Sequence, residues 1–449
     1  MRLTQHVRST LHGRFRFLKE GLDVPAAQRD PAVVETVATM LGEIEREGLD
    51  AVRRHAARLD GTTGDLAVAP ERVASSGDRL DPALREAIEL GSRRTRAFAR
   101  ATRDHLQDFE VEPVPGLVTG VRYVPVGSVG AYLPAGRFPL TASAFMTLGV
   151  AAEAGVPRRI ACTPPQPDGQ PNDAVLYAAH VSGVDRVWML GGVQALAAMA
   201  FGLLDEQPVD MLVGAGNAYV AEAKRALYGR VAIDLPAGPS EVAVLADASA
   251  DPDWVAADLL GQAEHGPNSP AALVTTSAEL GAEVIRAIER RLTTLETEAI
   301  AGPAWRDHGS VIVADDMETA IAIMDDLAPE HLEVMTDDDD AVHRALTNYG
   351  SIFLGRWSTV AYSDKGMAGT NHVLPTAGGA KHTAGMSVSR YLKALTYQRI
   401  SREATPELAE AVATISQSEG MAAHRDTATL RLDALRETAA TAGMGRTSA

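Results

Sequence analysis

From residue 118 onward, short apolar stretches alternate with alanine-rich ones, and this rhythm narrows the fold more than any other feature. Strands are expected over 118–124, 129–133, 159–163, 184–190, 210–213, 242–246, 271–275, 310–314 and 351–354. Helices are expected between them, at 173–180, 193–201 and 218–227. Such alternation predicts α/β domains with parallel sheets, and these strands are enough for two sheets. The first hundred residues read as helical: Val33, Val37, Met40, Leu41 and Ile44 recur at spacings of three and four. A second helix is expected after Asp81, with Pro82 in its first turn, and the stretch Glu110-Val-Glu-Pro-Val-Pro-Gly116 then breaks the pattern. The last fifty residues return to helix, and the acidic run Asp337–Asp340 reads as a solvated loop.

The chain has 449 residues, with 42 Lys+Arg against 59 Asp+Glu. That is long enough for two to four domains, and the acidic excess argues against a nucleic-acid or anionic-membrane surface. The single cysteine, Cys162, excludes an intrachain disulfide and a cysteine-rich zinc site. Arg2, Arg8, Arg14 and Arg16 are followed by no apolar run, and the most apolar stretch, 142–152, is broken by Glu153. A cytoplasmic location is expected.

Five groups of residues can carry chemistry, each with a plainer reading beside it. Gly214-Ala-Gly-Asn217 follows an apolar strand and opens a helix, where backbone N–H groups favour an anion, or it is simply a tight turn. Asp234 falls twenty residues after Gly214, the place of a ribose-binding carboxylate in a dinucleotide fold. Gln262 and His265, three apart near a helix end, can face one metal or be surface residues. Glu330 and His331 are the types for proton transfer near neutral pH, or a helix cap. On a regular helix the two would point about 100° apart, so serving one substrate requires an irregular segment. The loop from Tyr362 to Thr376, too polar for a core and so expected to be exposed, carries Asp364, Asn371 and His372. Glu419 and His424 stand five apart near the C-terminus, where the plainer reading is exposed polar residues.

In this order, Tyr132-Leu-Pro-Ala-Gly136, Gly191-Gly-Val-Gln194, Gly214-Ala-Gly-Asn217, Ala237-Gly-Pro-Ser-Glu241, Gln262-Ala-Glu-His265, Ala328-Pro-Glu-His331, Gly369-Thr-Asn-His372 and Glu419-Gly-Met-Ala-Ala-His424 resemble the histidinol dehydrogenase family. The resemblance implies an α/β enzyme that needs zinc and NAD and oxidises a primary alcohol to a carboxylate through a held aldehyde. It implies two incomplete Rossmann-like domains, a helical N-terminal region and a small helical C-terminal tail, in an intertwined homodimer. The implied parts are 1–28 packing with 385–411, a first Rossmann-like domain of 29–131 and 241–384, an inserted NAD-binding domain at 132–240, and a tail at 412–449. Matched to the family, Gln262, His265, Asp364 and His424 hold zinc, His331 is the general base, and Glu330 activates water. Tyr132, Gln194 and Asn217 match the NAD contacts. Ser240, Glu330, His372 and Glu419 match substrate contacts, joined by the metal set Gln262, His265, Asp364 and His424. Glu419 and His424 are implied to complete the partner's site.

Gly136-Arg-Phe-Pro139, Tyr362-Ser-Asp-Lys365 and Tyr391-Leu-Lys-Ala-Leu-Thr-Tyr-Gln398 look like the sulfopropanediol 3-dehydrogenase branch, whereas Ala237-Gly-Pro-Ser-Glu241 has the form of the histidinol enzymes. The expected substrate is a small anionic diol such as 2,3-dihydroxypropane-1-sulfonate, with Arg137 and Lys365 as candidate partners for its anion. L-Histidinol is the alternative substrate. A metal-dependent hydrolase and a catalytically silent relative stay open.

Overall fold

The structure, a computed structural model, describes residues 1, 3–22, 30–136, 138–236 and 238–444, with side chains as far as 437. Arg137 lies outside the described residues. The strands are β1 (Phe15–Lys19), β2 (Phe109–Val114), β3 (Leu117–Pro125), β4 (Ser128–Tyr132), β5 (Arg158–Thr163), β6 (Arg186–Met189) and β7 (Met211–Val213). They continue as β8 (Ala232–Ile233), β9 (Val242–Ala246), β10 (Ala271–Thr275), β11 (Gly309–Ala314), β12 (His331–Met335), β13 (Ser351–Leu354) and β14 (Leu392–Ile400).

Contacts divide the chain into two compact units, 1–103 with 125–391, and 104–124 with 392–449. The larger unit contains two sheets. One has the order β6-β5-β4-β7-β8 and is parallel throughout. The other has the order β1-β11-β10-β9-β12-β13, parallel except for β1, which pairs antiparallel with β11. Strands β4, β9, β10 and β12 are buried along their whole length, the pattern of parallel sheets covered on both faces. One core gathers Val37, Met40 and Ile44 from the helix Pro31–Glu47 against the alanine-rich helix Gly192–Phe201, and so uses the expected helix face. Two further cores cover the faces of the six-stranded sheet.

The smaller unit holds the antiparallel sheet β14-β3-β2 and the helices Thr405–Ser418 and Ala422–Met444. Its buried apolar cluster is small, made of Ala409, Ala428 and Leu432. Among the described residues, no helix is long and apolar enough to cross a membrane.

Two local expectations change. The stretch expected to break the pattern contains β2, which pairs with β3 at the edge of its sheet, where Pro113 leaves no interior hydrogen bond unmade. The acidic run is a helix start: the Asp338 side chain accepts from Ala341 N, capping Asp339–Ala345.

Candidate active site

In each parallel sheet the strand order reverses direction once, between β4 and β7 in one and between β9 and β12 in the other. A cavity of about 2230 Å³ runs between these two places. It meets the first sheet at its carboxyl edge, by Tyr132, Gly191 and Gly216, and the second at its amino edge, by Glu241, Pro270 and Glu330.

At the carboxyl edge, Gly214 has φ +120°, and a Cβ on it would lie 2.2 Å from the Tyr132 carbonyl oxygen, so the close approach of β7 to β4 requires glycine. Asp234 does not face the cavity for a ribose as its spacing suggested. It is buried, its Oδ2 accepts from Gly214 N at 2.7 Å, and its Oδ1 accepts from Lys224 Nζ at 2.6 Å. Lys224 Nζ also donates to Gly214 O at 2.8 Å, so a buried ion pair holds the glycine turn from behind. Asn217 caps the helix Ala218–Leu227, its Oδ1 accepting from Tyr219 N and Val220 N. Gln194 lies in the first turn of Gly192–Phe201, and Tyr132 closes β4 with its hydroxyl accepting from Gly192 N at 3.3 Å. Burial pushes that phenol up to about 12, so it stays protonated.

Asp60, which sequence reasoning missed, stands just past the helix Leu49–Leu59. Its Oδ2 accepts from Gly191 N at 2.8 Å and from Gln194 Nε2 at 2.9 Å. With the amide nitrogen held there, the Gln194 Oε1, buried and without a partner among the described residues, is the atom left to accept from a ligand. The only sequence signal was an Asp-Gly pair after a helical run.

At the amino edge, the helix Met317–Leu327 ends at Ala328, whose φ of +45° turns the chain sharply into β12. Glu330 precedes that strand and His331 begins it, so the pair is not helical, and the irregular junction lets both face the cavity. Gly350 packs against this junction, where a Cβ would lie 2.5 Å from Glu330 O. Glu330 Oε2 accepts from Ser240 Oγ at 2.7 Å and Glu241 N at 2.8 Å. Burial, aided by the carboxylates of Glu241 and Asp364, raises the Glu330 carboxyl well above its ordinary range. His331 Nδ1 lies 3.0 Å from Glu241 O. A carbonyl only accepts, so Nδ1 carries the proton and Nε2 keeps its lone pair.

His265 stands just past the helix Pro252–Ala263 that carries Gln262, so the two share an end of the helix rather than a face. The loop expected to be exposed instead begins as the short helix Val360–Asp364, and Asp364 and Asn371 are buried. Asn371 donates to Met146 O at 2.8 Å, a partner that lets a polar loop enter the interior. Asp364 Oδ2 lies 3.6 Å from His265 Nε2, and Asp364 Oδ1 lies 3.8 Å from His331 Nε2. These last two atoms are buried and have no hydrogen-bond partner among the described residues. Gln262 Nε2 donates to Ser240 Oγ at 2.6 Å, leaving its oxygen as the possible metal donor. An amide oxygen, an imidazole and a carboxylate with an orphaned oxygen fit a zinc site that keeps room for substrate. Among the described residues no three His, Cys, Asp or Glu side chains gather as a metal cluster. His372 Nε2 lies 3.1 Å from Ser143 Oγ, and burial lowers this imidazole to about 4, so it is neutral. Lys365 is exposed and is not part of the cavity wall. Glu419 ends the helix Thr405–Ser418 and His424 lies in the first turn of the next, both exposed in the smaller unit.

Fold and site define an α/β protein with one large cavity, lined by glycine turns at one edge and by acid–base side chains at the other. The family model described as Histidinol dehydrogenase matches residues 25–432, and the chain belongs to that family. Its members are zinc-binding, NAD-dependent oxidoreductases acting on alcohol groups, and this chain is such an enzyme. A "Histidinol dehydrogenase homolog" of Ruegeria pomeroyi is 45% identical, covering 94% of this chain and 97% of its own. The sulfopropanediol 3-dehydrogenase of the same organism is 44% identical over 89% and 92%, and the histidinol dehydrogenase of Cereibacter sphaeroides 41% over 91% and 94%. The crystal structure of histidinol dehydrogenase from Elizabethkingia anophelis superposes with a TM-score of 0.87 at 31% identity, covering 92% of this chain and 95% of that one.

Proposed function

We propose that the enzyme oxidises a small anionic diol of the 2,3-dihydroxypropane-1-sulfonate type to its carboxylate in two steps, without releasing the aldehyde. The reading rests above all on His331 Nε2, buried and unpartnered 3.8 Å from Asp364 Oδ1, where it can accept the proton of a substrate hydroxyl. His331 Nε2 takes the hydroxyl proton in the first oxidation. Glu330, its carboxyl raised above the ordinary range by burial, takes a proton from the water that adds to the aldehyde, giving a hydrate for the second oxidation. Ser240 and His372 bind and orient the substrate. Gln262, His265 and Asp364 hold zinc, which supplies Lewis acidity beside the substrate oxygen. Tyr132, Gln194 and Asn217 hold NAD, which supplies the hydride acceptor for each oxidation.

The two parallel sheets are read as incomplete Rossmann-like domains, residues 132–240 being inserted between 29–131 and 241–384. Residues 1–28 belong with 385–411, and 412–449 form the tail. The enzyme is a homodimer in which Glu419 and His424 of a second copy complete each site. The smaller unit supports this: Phe109, Val111, Leu395, Val412, Ile415 and Leu430 are exposed around a core of three residues.

The relatives at 44–45% identity and the Gly136-Arg-Phe-Pro139 motif favour the diol over L-histidinol, the second reading. The test is NADH formed to completion by zinc-loaded enzyme with each diol enantiomer and with L-histidinol. Two NADH per diol, with histidinol inert, is expected. Two NADH per histidinol with the diol inert would overturn the substrate, and one NADH with free aldehyde would overturn the two-step course.

A further inference from the structure

Asp258 and Glu333 have no part in the steps above, yet both converge where the site's supporting elements join. Glu333 lies two residues along β12 from His331, on the same face of the sheet. Its Oε1 accepts from Val360 N at 2.9 Å, and its Oε2 is buried without a conventional donor among the described residues. Asp258 sits one turn before Gln262 on the helix Pro252–Ala263, and its Oδ1 accepts from Thr359 Oγ1 at 2.9 Å. Thr359 and Val360 open the helix that ends at Asp364. The two carboxyls thus meet at the start of one helix, burial raises both above their ordinary range, and Arg291 is a cation acting on Asp258. Two carboxyls meeting in such an interior do not both ionise: one keeps its proton and donates it to the other.

We propose that Asp258 and Glu333 are positioning residues that share one proton. They pin the helix Pro252–Ala263, β12 and the helix Val360–Asp364 together so that Gln262, His265 and Asp364 meet at one metal. This rests on the metal-site reading given above. The shared proton supplies the one bond between these elements that two bare carboxylates cannot make. An amide at either position can donate in its place, whereas alanine cannot.

The test measures zinc dissociation by competition with a colorimetric chelator, with kcat and KM, for holoenzyme carrying E333Q, D258N, E333A or D258A. E333Q and D258N should stay within about threefold of the parent, and the alanine variants should bind zinc about ten- to a hundredfold more weakly, as for lost metal-supporting groups. Excess zinc should restore kcat in the alanine variants, with KM for NAD unchanged. Alanine variants that bind zinc normally would overturn the proposal. So would an amide variant that loses zinc as severely as alanine, and this arm decides the matter if the alanine variants fail to fold. H265A is the control: zinc binding unaffected by it would refute the metal site itself, and is thereby distinguishable.

Discussion

His331 can accept a proton only because Glu241 O has already fixed where its own proton sits. Burial lowers this imidazole from its ordinary 6.5, so the base is neutral at pH 7. For the alcohol-to-aldehyde step kcat/KM is therefore expected to be level near pH 7 and to fall only below pH 6.5; a limb centred above 6.5 in that step would contradict the assignment. Stability carries the same sign: below 6.5 the unfolded chain binds the proton that the folded one refuses, so stability drops with pH there. His331→Ala should abolish turnover of the alcohol, whereas Glu330→Gln should slow aldehyde-to-acid oxidation more than the first step. Half-reaction rates with alcohol and with aldehyde check this, and equal losses would remove Glu330 from water activation. Asp60→Ala should raise KM for NAD by about tenfold, the worth of one charge-assisted hydrogen bond, with kcat little changed. Steady-state kinetics in NAD decide it. Glu330, His331 and Asp364 were legible because their residue types announce proton or metal chemistry. Asp60 was not, because its partners Gly191 and Gln194 lie more than a hundred residues away.

Strands β9 and β10 fall where apolar runs placed them, since a strand covered on both faces must be continuously apolar, and the half-buried edge strand β13 also falls where expected. β12 escaped because His331 and Glu333 interrupt its run, and buried polar side chains mimic a surface segment. β1 escaped for the opposite reason: Phe15 and Phe17 alternate with Arg16 and Leu18 on an antiparallel edge, in a region otherwise read as helix. Behind the glycine turn, Lys224→Ala would leave the Asp234 carboxylate buried without its cation. Breaking such a pair costs about 3–5 kcal/mol, and denaturant unfolding should show a loss of that order. KM for NAD should rise with it, because Gly214 loses the Lys224 hydrogen bond. A variant as stable as the parent would show the pair to be dispensable.

Across the whole molecule, α/β class and two sheets were visible in the alternation, but the strand orders were not, because pairing is set by contacts distant in sequence. The small unit made from 104–124 and 392–449 was also hidden, since neither segment is apolar enough to announce a core. Shared sites have a direct test. Inactive His265→Ala protein mixed with inactive His424→Ala protein should recover up to about a quarter of parental activity after random subunit exchange, through the one site in four with no defect. No recovery, with exchange shown independently, would refute the shared site. The cavity joins the carboxyl edge of one sheet to the amino edge of another, so in the proposed reading cofactor and substrate are gripped by separate walls. On that reading spent NADH is traded for fresh NAD against one wall while the half-oxidised aldehyde stays clamped to the other, like a drill bit changed without unloading the vice.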